Sequence, residues 1–259
     1  SMNSRIKNEL VVVLVSFFIV MCFFGKIVLN PNNYLLQWEH DGTSVYYGPL
    51  FYINNDSEDH FTGMNYPYGE NFYLVSGHDN FTKIYKFFNV FTESPNDFVG
   101  FLNLFILLLI PIGSLIIYKI LLYYEVSAGA SMVYSIIIGF LSPQIGVMAG
   151  YFHLGCIFIF PFFWYIFIKF FESKNFVIWG VIYVLFITFW MSAYMCLFGS
   201  IFFLLFYIAN LLLNKSEKHF FKSWKFNLYS LSCLLFPIIA FAGNFSLDVG
   251  NFNDRIKIP

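Results

Sequence analysis

Apolar positions fall into seven runs separated by short polar stretches: roughly Leu10 to Leu29, Phe98 to Tyr118, Val126 to Leu141, Gly150 to Phe171, Phe176 to Trp190, Ala193 to Leu213 and Phe226 to Gly243. The first run holds a single charge, Lys26, and is long enough to cross a hydrocarbon core of ~30 Å as a helix. Two boundaries are set by chemistry and length. Residues 126 to 168 carry no charge and are divided at Ser142-Pro143, where proline removes a backbone donor; residues 175 to 214 are also uncharged and are divided near Ser192 on length alone. The pattern predicts an all-α integral membrane protein with about seven transmembrane helices. An odd number places the termini on opposite sides.

Residues 30 to 97 break the pattern. This long first loop holds nine acids and two lysines, net −7, whereas the later connections are only a few residues long. Loops above ~12–15 residues are usually functional or disordered, and this one is too rich in Tyr, Phe and Trp for disorder. Within it, TSVYYGPLFYI (43 to 53) is apolar and uncharged, and FTKIYKFFNVF (81 to 91) sets apolar residues at helical spacing around Lys83 and Lys86. Both suit short interfacial helices in the headgroup plane, with packing segments of an ectodomain as the alternative. Between them lies the polar stretch FTGMNYPYGENFYLVSGHDN, 61 to 80.

Charge sets the orientation. With the N-terminus cytoplasmic, nine of the fourteen basic residues lie inside (Arg5, Lys7, Lys119, Lys169, Lys174, Lys215, Lys218, Lys222, Lys225) and eleven of the fifteen acids lie outside. The long loop is then extracytoplasmic. Only 11% of the 259 residues are charged, against about 25% in soluble domains, and the net charge of −1 offers no basic face for nucleic acid. The 37 phenylalanines partly reflect an AT-rich, bacterial-looking composition and are not in themselves a sign of sugar stacking. Cys22, Cys156, Cys196 and Cys233 sit in apolar runs without CxxC or His partners and read as small core residues. The chain reads as one transmembrane domain, and its ending on DRIKIP leads us to expect an N-terminal piece of a longer protein.

Candidate chemistry concentrates in the loop. Asp41, in Glu39-His40-Asp41-Gly42, follows the first helix closely, and a carboxylate near the lipid boundary is suited to general-base work because desolvation raises its pKa. Asp-Gly is equally a common turn pair. His78 and Asp79 follow Gly77, whose freedom lets the two side chains converge on a metal, a phosphate or a sugar hydroxyl. A divalent metal shared with Asp41 is one option, although no HxxxH, HExxH or DxD spacing is present. Tyr66-Pro67-Tyr68-Gly69-Glu70 combines a rigid bend with a permissive Gly and shapes the loop; Glu70 is either a ligand-binding acid or solvated. His153 is the one titratable group of its kind in the uncharged 126 to 168 stretch, at the outer end of its helix, and intramembrane ionisable residues are functional hypotheses by default.

The plan of one basic helix, a long acidic loop with two interfacial helices and six further helices resembles the seven-helix module of GT-C-type polytopic membrane glycosyltransferases. A closer resemblance is carried by Asp41-Gly42, Tyr46-Tyr47, Pro49, the run Phe61 to Glu70 (FTGMNYPYGE), Asp79-Asn80 and Leu141-Ser142-Pro143-Gln144. These are similar to the first loop and following helix of a group of uncharacterised bacterial (Bacteroidetes-type) multi-pass membrane proteins. Here Phe81-Thr82 stands where that group has Gln-Pro, Tyr151 and Phe152 separate Gly150 from His153, and only Ser192-Ala193-Tyr194 represents its His-Pro-Tyr element.

The resemblance implies an inverting transfer of a sugar from a polyprenyl-phosphate donor to a glycan, lipid or protein acceptor on the extracytoplasmic face of the bacterial inner membrane. It makes Asp41 the matching acid of the first loop, one that activates the acceptor or helps to hold a metal, and Asp79 is the second catalytic candidate on its own residue chemistry. Glu70, His78 and His153 would bind substrate, and Lys83, Lys86, Arg255 or Lys257 would face the lipid phosphate. The alternatives are a transporter or flippase of lipid-linked glycan, for which broken helices or an inverted repeat are expected and not found in the sequence, and a non-catalytic membrane scaffold.

Overall fold

The computed structural model describes residues 2–36, 42–56, 60–63, 70–71, 79–89, 97–142, 144–147, 158–172, 175–189, 193–213 and 223–255, some of them at helix ends by backbone alone. They form helices α1 (Met2–Leu29), α2 (Gly42–Asn55), α3 (Asp79–Asn89), α4 (Phe98–Tyr123), α5 (Ala128–Leu141), the single turn α6 (Gln144–Val147), α7 (Ile159–Glu172), α8 (Phe176–Phe189), α9 (Ala193–Leu213) and α10 (Trp224–Arg255). A 3-10 turn, Pro31–Asn33, follows α1. The one sheet among the described residues is a two-residue antiparallel pairing of β1 (His60–Phe61) with β2 (Glu70–Asn71). The protein is thus all-helical in architecture, and each of the seven apolar runs carries a helix.

Several boundaries differ from expectation for local reasons. α1 starts at Met2 rather than Leu10, because Arg5 and Glu9 are an i,i+4 pair (3.4 Å) that extends the helix through the polar N-terminus. The last helix runs on to Arg255 past the expected end near Gly243, so residues 244 to 255 are helical. α5 ends at Leu141 with Ser142 extended, as the division at Ser142-Pro143 requires; α8 ends at Phe189 and α9 begins at Ala193, and the division near Ser192 lies outside the described residues.

The chain forms two compact units: residues Ser1–Asn54 with Ile84–Tyr165, and Asn55–Lys83 with Ile166–Pro259. In the first, α1 and α4 pack antiparallel. Glu9 binds Lys119 (3.5 Å) at one end, and Asn32, just after α1, binds Asp97 and Gly100 at the start of α4. Gly100 to Lys119 rises roughly 29 Å at 1.5 Å per residue, close to the thickness of a hydrocarbon core, and carries no charge in between.

α4 then ends in a Schellman turn. Val126 N–H donates to Leu121 C=O and Glu125 N–H to Leu122 C=O, with Glu125 at φ 61°, where glycine is the usual choice. α5 buries Ser131, Ser135 and Gly139 on one face, and Gly139 leaves room for Ser114 of α4.

The second unit is built on aromatic rings. Phe203 of α9 lies 5.3–5.7 Å, centroid to centroid, from Phe167, Phe170 and Phe171 of α7 and from Tyr183 of α8. Phe226 of α10 closes the cluster against Phe170 and Phe176, both near 5.3 Å. Gly180 lets α8 approach: a Cβ there would sit 3.1 Å from Phe170 and 3.2 Å from Cys233.

Two helices, Arg5–Leu29 and Phe98–Tyr123, are long and apolar enough to cross a membrane; the other apolar helices are shorter as described, Ala128–Leu141 and Phe176–Ile187 among them. The exposed surface of α1 is greasy, with Leu14, Phe18 and Phe23 at 56, 68 and 77% exposure. Continuous apolar faces of this kind are rare on soluble monomers and mark surfaces covered by lipid or by protein. Cys22 is exposed on that face, so the expectation of a core cysteine fails there; Cys233 is buried, and both are free thiols.

Candidate functional site

The described part of the long loop is anchored by one polar residue of α4. Asn103 is fully buried in a helix whose neighbours are Leu, Phe and Ile, and an unpaired amide there would cost several kcal/mol. Both of its N–H groups are used, donating to the carbonyls of Pro31 (2.8 Å) and Tyr34 (2.7 Å). Its Oδ1 accepts from the Tyr46 hydroxyl at 2.6 Å, and the Tyr46 oxygen in turn accepts from Leu36 N–H at 3.1 Å. One side chain therefore ties the chain leaving α1 to both α2 and α4. Burial pushes the Tyr46 phenol up to about 12, with the Leu36 amide acting against it.

Asn32 completes the anchor. The first amides of α4 lack intrahelical partners, and its N-cap Asp97 makes no side-chain cap bond. Asn32 Oδ1 accepts from Gly100 N–H at 2.6 Å instead, while its Nδ2 donates to Asp97 Oδ1 at 2.9 Å. A Cβ on Gly100 would collide with the Asn32 amide, so glycine is required for close approach at this position.

Helices α2 and α3 flank the polar stretch and differ in what they expose. α2 buries Val45, Tyr46, Tyr52 and Ile53, with Tyr47 half exposed. It packs against protein, which is the alternative reading of that segment. α3 turns Ile84, Phe87 and Phe88 outward at 46, 65 and 61% exposure, the face an interfacial helix presents to lipid. Tyr85 packs edge-on against Phe98 (5.0 Å) and tilted on Phe101 (5.1 Å) at the start of α4; burial, then the Asp97 carboxylate, raises its phenol pKa. Lys86, half-buried, donates to Tyr52 C=O at 2.8 Å with its ammonium 4.6 Å from the Tyr52 ring centre.

In the second unit, Asp56, just after α2, accepts from the N–H (2.8 Å) and the hydroxyl (2.6 Å) of Thr62, the residue after β1. The register His60↔Asn71 and Phe61↔Glu70 pairs β1 antiparallel with β2. Phe61 is wholly buried.

Of the residues singled out in the sequence, Asp41, His78 and His153 lie outside the described residues. Glu70 is in β2 and Asp79 is the first residue of α3, each described by backbone alone. Lys83 is half-buried on α3. Lys86 serves to hold α3 on α2. Sequence reasoning missed Asn103, Asn32 and Gly100. The signal was available: Asn103 is the one amide in the apolar run 98 to 118, and a polar side chain in such a run needs a partner. Comparison of the chain with family models, curated proteins and solved structures gave no match.

Proposed function

We propose that the protein is a multi-pass bacterial inner-membrane glycosyltransferase of GT-C-like plan. In this reading seven helices span the bilayer with the N-terminus cytoplasmic, and the 30 to 97 loop faces outward. It transfers a sugar from a polyprenyl-phosphate donor to an acceptor at the outer surface. The observation that carries the reading is the Asn103 anchor: it fixes the loop bearing Asp41 and Asp79 to the start of an apolar helix of membrane-spanning length. A catalytic acid that must meet a lipid-linked donor needs such a fixed height above the bilayer. The outward apolar face of α3, with Ile84, Phe87 and Phe88 exposed, supports a second contact of the loop with the lipid surface.

In the reaction, Asp41 takes the proton of the acceptor hydroxyl as its oxygen attacks the anomeric carbon. The bond from that carbon to the phosphate oxygen breaks with inversion, and polyprenyl phosphate leaves with the electron pair. Lys83, close in sequence to Asp79, and the basic C-terminal segment at Arg255 and Lys257 offset the charge developing on the phosphate.

The test is sugar transfer by the full-length protein in proteoliposomes supplied with a panel of polyprenyl-phosphate monosaccharides. Asp41→Asn is expected to lower the transfer rate by roughly 100-fold or more, the range of a general base. Transfer at the unaltered rate in that variant overturns the assignment.

A further inference from the structure

We infer that α5 ends near the middle of the bilayer and that its last carbonyls line a water-filled pocket, open to the extracytoplasmic side, which admits cations in preference to anions. The inference rests on the membrane reading and is independent of sugar transfer. Depth is marked along α4. Asn32 holds its outer end at Gly100, and Glu9 binds it near the inner end at Lys119. Tyr123, Tyr124 and Trp164 are exposed just beyond, with their rings edge to edge and Trp164 Nε1 donating to the Tyr124 hydroxyl at 3.1 Å. Such a belt belongs at the headgroup level.

Ser114 lies about 21 Å from Gly100 and about 14 Å from Tyr123 at 1.5 Å per residue. Gly139 of α5 is level with it, since a Cβ there would meet Ser114 Oγ. Because α5 runs outward from Ala128, its end at Leu141 stands about 3 Å beyond Gly139 and about 18 Å short of the Gly100 level. A hydrocarbon core of ~30 Å has its midplane ~15 Å from either surface. The third span is therefore a helix interrupted close to the midplane.

The interruption takes donors away from backbone acceptors. Ser142 is extended (φ −63°, ψ 131°), and Ile145 N–H donates to Ser142 C=O at 3.1 Å instead of to Leu141 C=O four residues back. Gly139 C=O loses its helical donor as well, because position 143 is a proline. Interrupted backbone at membrane depth is tolerated only where protein buries it or water reaches it. Protein leaves this end open, with Leu141 at 78% exposure. Helix carbonyls point toward the C-terminus, which in α5 is the outer side, so water enters from there. They are also the negative end of the helix dipole, which favours positive charge.

Thiol labelling in right-side-out membrane vesicles tests this, using the full chain with its native cysteines replaced by alanine and charged methanethiosulfonates added outside. These reagents need a thiolate in water. Leu141→Cys is expected to react at least about tenfold faster than Ile112→Cys, which lies on α4 at the same depth, about 18 Å from Gly100, and is 44% exposed. Ser142→Cys changes one atom and serves if the first variant does not fold. At either position the trimethylammonium reagent is expected to outpace the sulfonate by about threefold more than it does on a free thiol in solution. Reaction at Leu141→Cys and Ser142→Cys as slow as at Ile112→Cys overturns the pocket. A ratio of the two reagents equal to that in solution overturns its lining by carbonyls. Rapid reaction of Ile112→Cys as well overturns the membrane reading itself.

Discussion

Asn103 and Phe203 are both buried at helix contacts, yet they hold their surroundings in opposite ways. Asn103 works through direction: two donated bonds and one accepted bond, all between 2.6 and 2.8 Å, to three residues, two in the chain leaving α1 and one in α2. Phe203 works through volume, meeting four other rings at offset or edge-on angles with no polar atom involved. A directional anchor specifies one arrangement of the loop and tolerates no substitute, because each lost bond strands a buried partner. A ring cluster is graded, since neighbours relax partway into whatever space is opened. The first suits a segment that has to be positioned. The second suits helices that need only stay packed.

The largest expected effect tests the ring cluster. Phe203→Ala removes the centre of the cluster and is expected to cost about 3–5 kcal/mol, read as a lowered thermal midpoint of the detergent-solubilised chain. Phe203→Leu restores most of the volume and is expected to recover more than half of that loss. If the leucine variant is as damaged as the alanine variant, the cluster is specified by ring geometry and the contrast with Asn103 collapses.

Asn103→Leu comes next. It keeps the volume and suits the membrane, but strands the Tyr46 hydroxyl and the carbonyls of Pro31 and Tyr34. Hydrogen bonds within membranes average ~0.6 kcal/mol, and the two carbonyl bonds are only part-buried, so we expect about 2–3 kcal/mol in total. The loss should be local. Limited proteolysis is expected to cut between residues 30 and 97 at least several-fold faster while α7 to α10 stay protected; uniform cleavage along the chain would show that the anchor is a general packing contact.

The same anchor predicts a pH dependence. The Tyr46 phenol is raised from 10.0 to about 12 by burial. Between these values the unfolded chain has given up the proton that the folded chain retains, so stability falls as pH rises. The contribution is complete below pH 10 and gone above pH 12, about 2–3 kcal/mol in all. Tyr46→Phe begins less stable at pH 8, having left Asn103 Oδ1 and Leu36 N–H unmatched, but lacks this alkaline loss. The gap between parent and variant thermal midpoints is expected to narrow from pH 10 upward. A constant gap would mean that Tyr46 ionises as it does in water.

How much of this was legible in the sequence follows from the same distinction. Apolar periodicity marked every long helix, because burial and lipid exposure act on each turn independently and leave a regular trace. The break at Ser142 was legible from the proline that follows it, whereas the division near Ser192 rested on length alone. The two loop helices were also expected, but only α3 presents the outward apolar face; α2 is the more apolar of the two and weakly one-sided, and spends its rings on packing, whereas α3 carries a strongly amphipathic pattern that the sequence already shows. The anchor left little trace, since Asn32, Tyr46, Gly100 and Asn103 are scattered over some seventy positions and meet only in three dimensions. Attention went instead to charged residues. Among these, Lys86 binds Tyr52, and Asp56, counted only among the acids, binds Thr62.

The smallest effect separates direction from volume within the anchor itself. Gly100→Ala adds one methyl group and alters no hydrogen-bonding atom, yet its Cβ would collide with the Asn32 amide that caps α4. In a helix interior the same change normally stabilises by about 0.5–1 kcal/mol. Here Asn32 has to swing away, leaving Gly100 N–H and Asp97 without their partner, and we expect a net loss of about 1–2 kcal/mol, the size of a missing N-cap. Combining it with Asn32→Gly should recover the methyl's benefit, because the cap is already gone. A double variant no more stable than Asn32→Gly alone would place the cost in the backbone of α4 rather than in the cap.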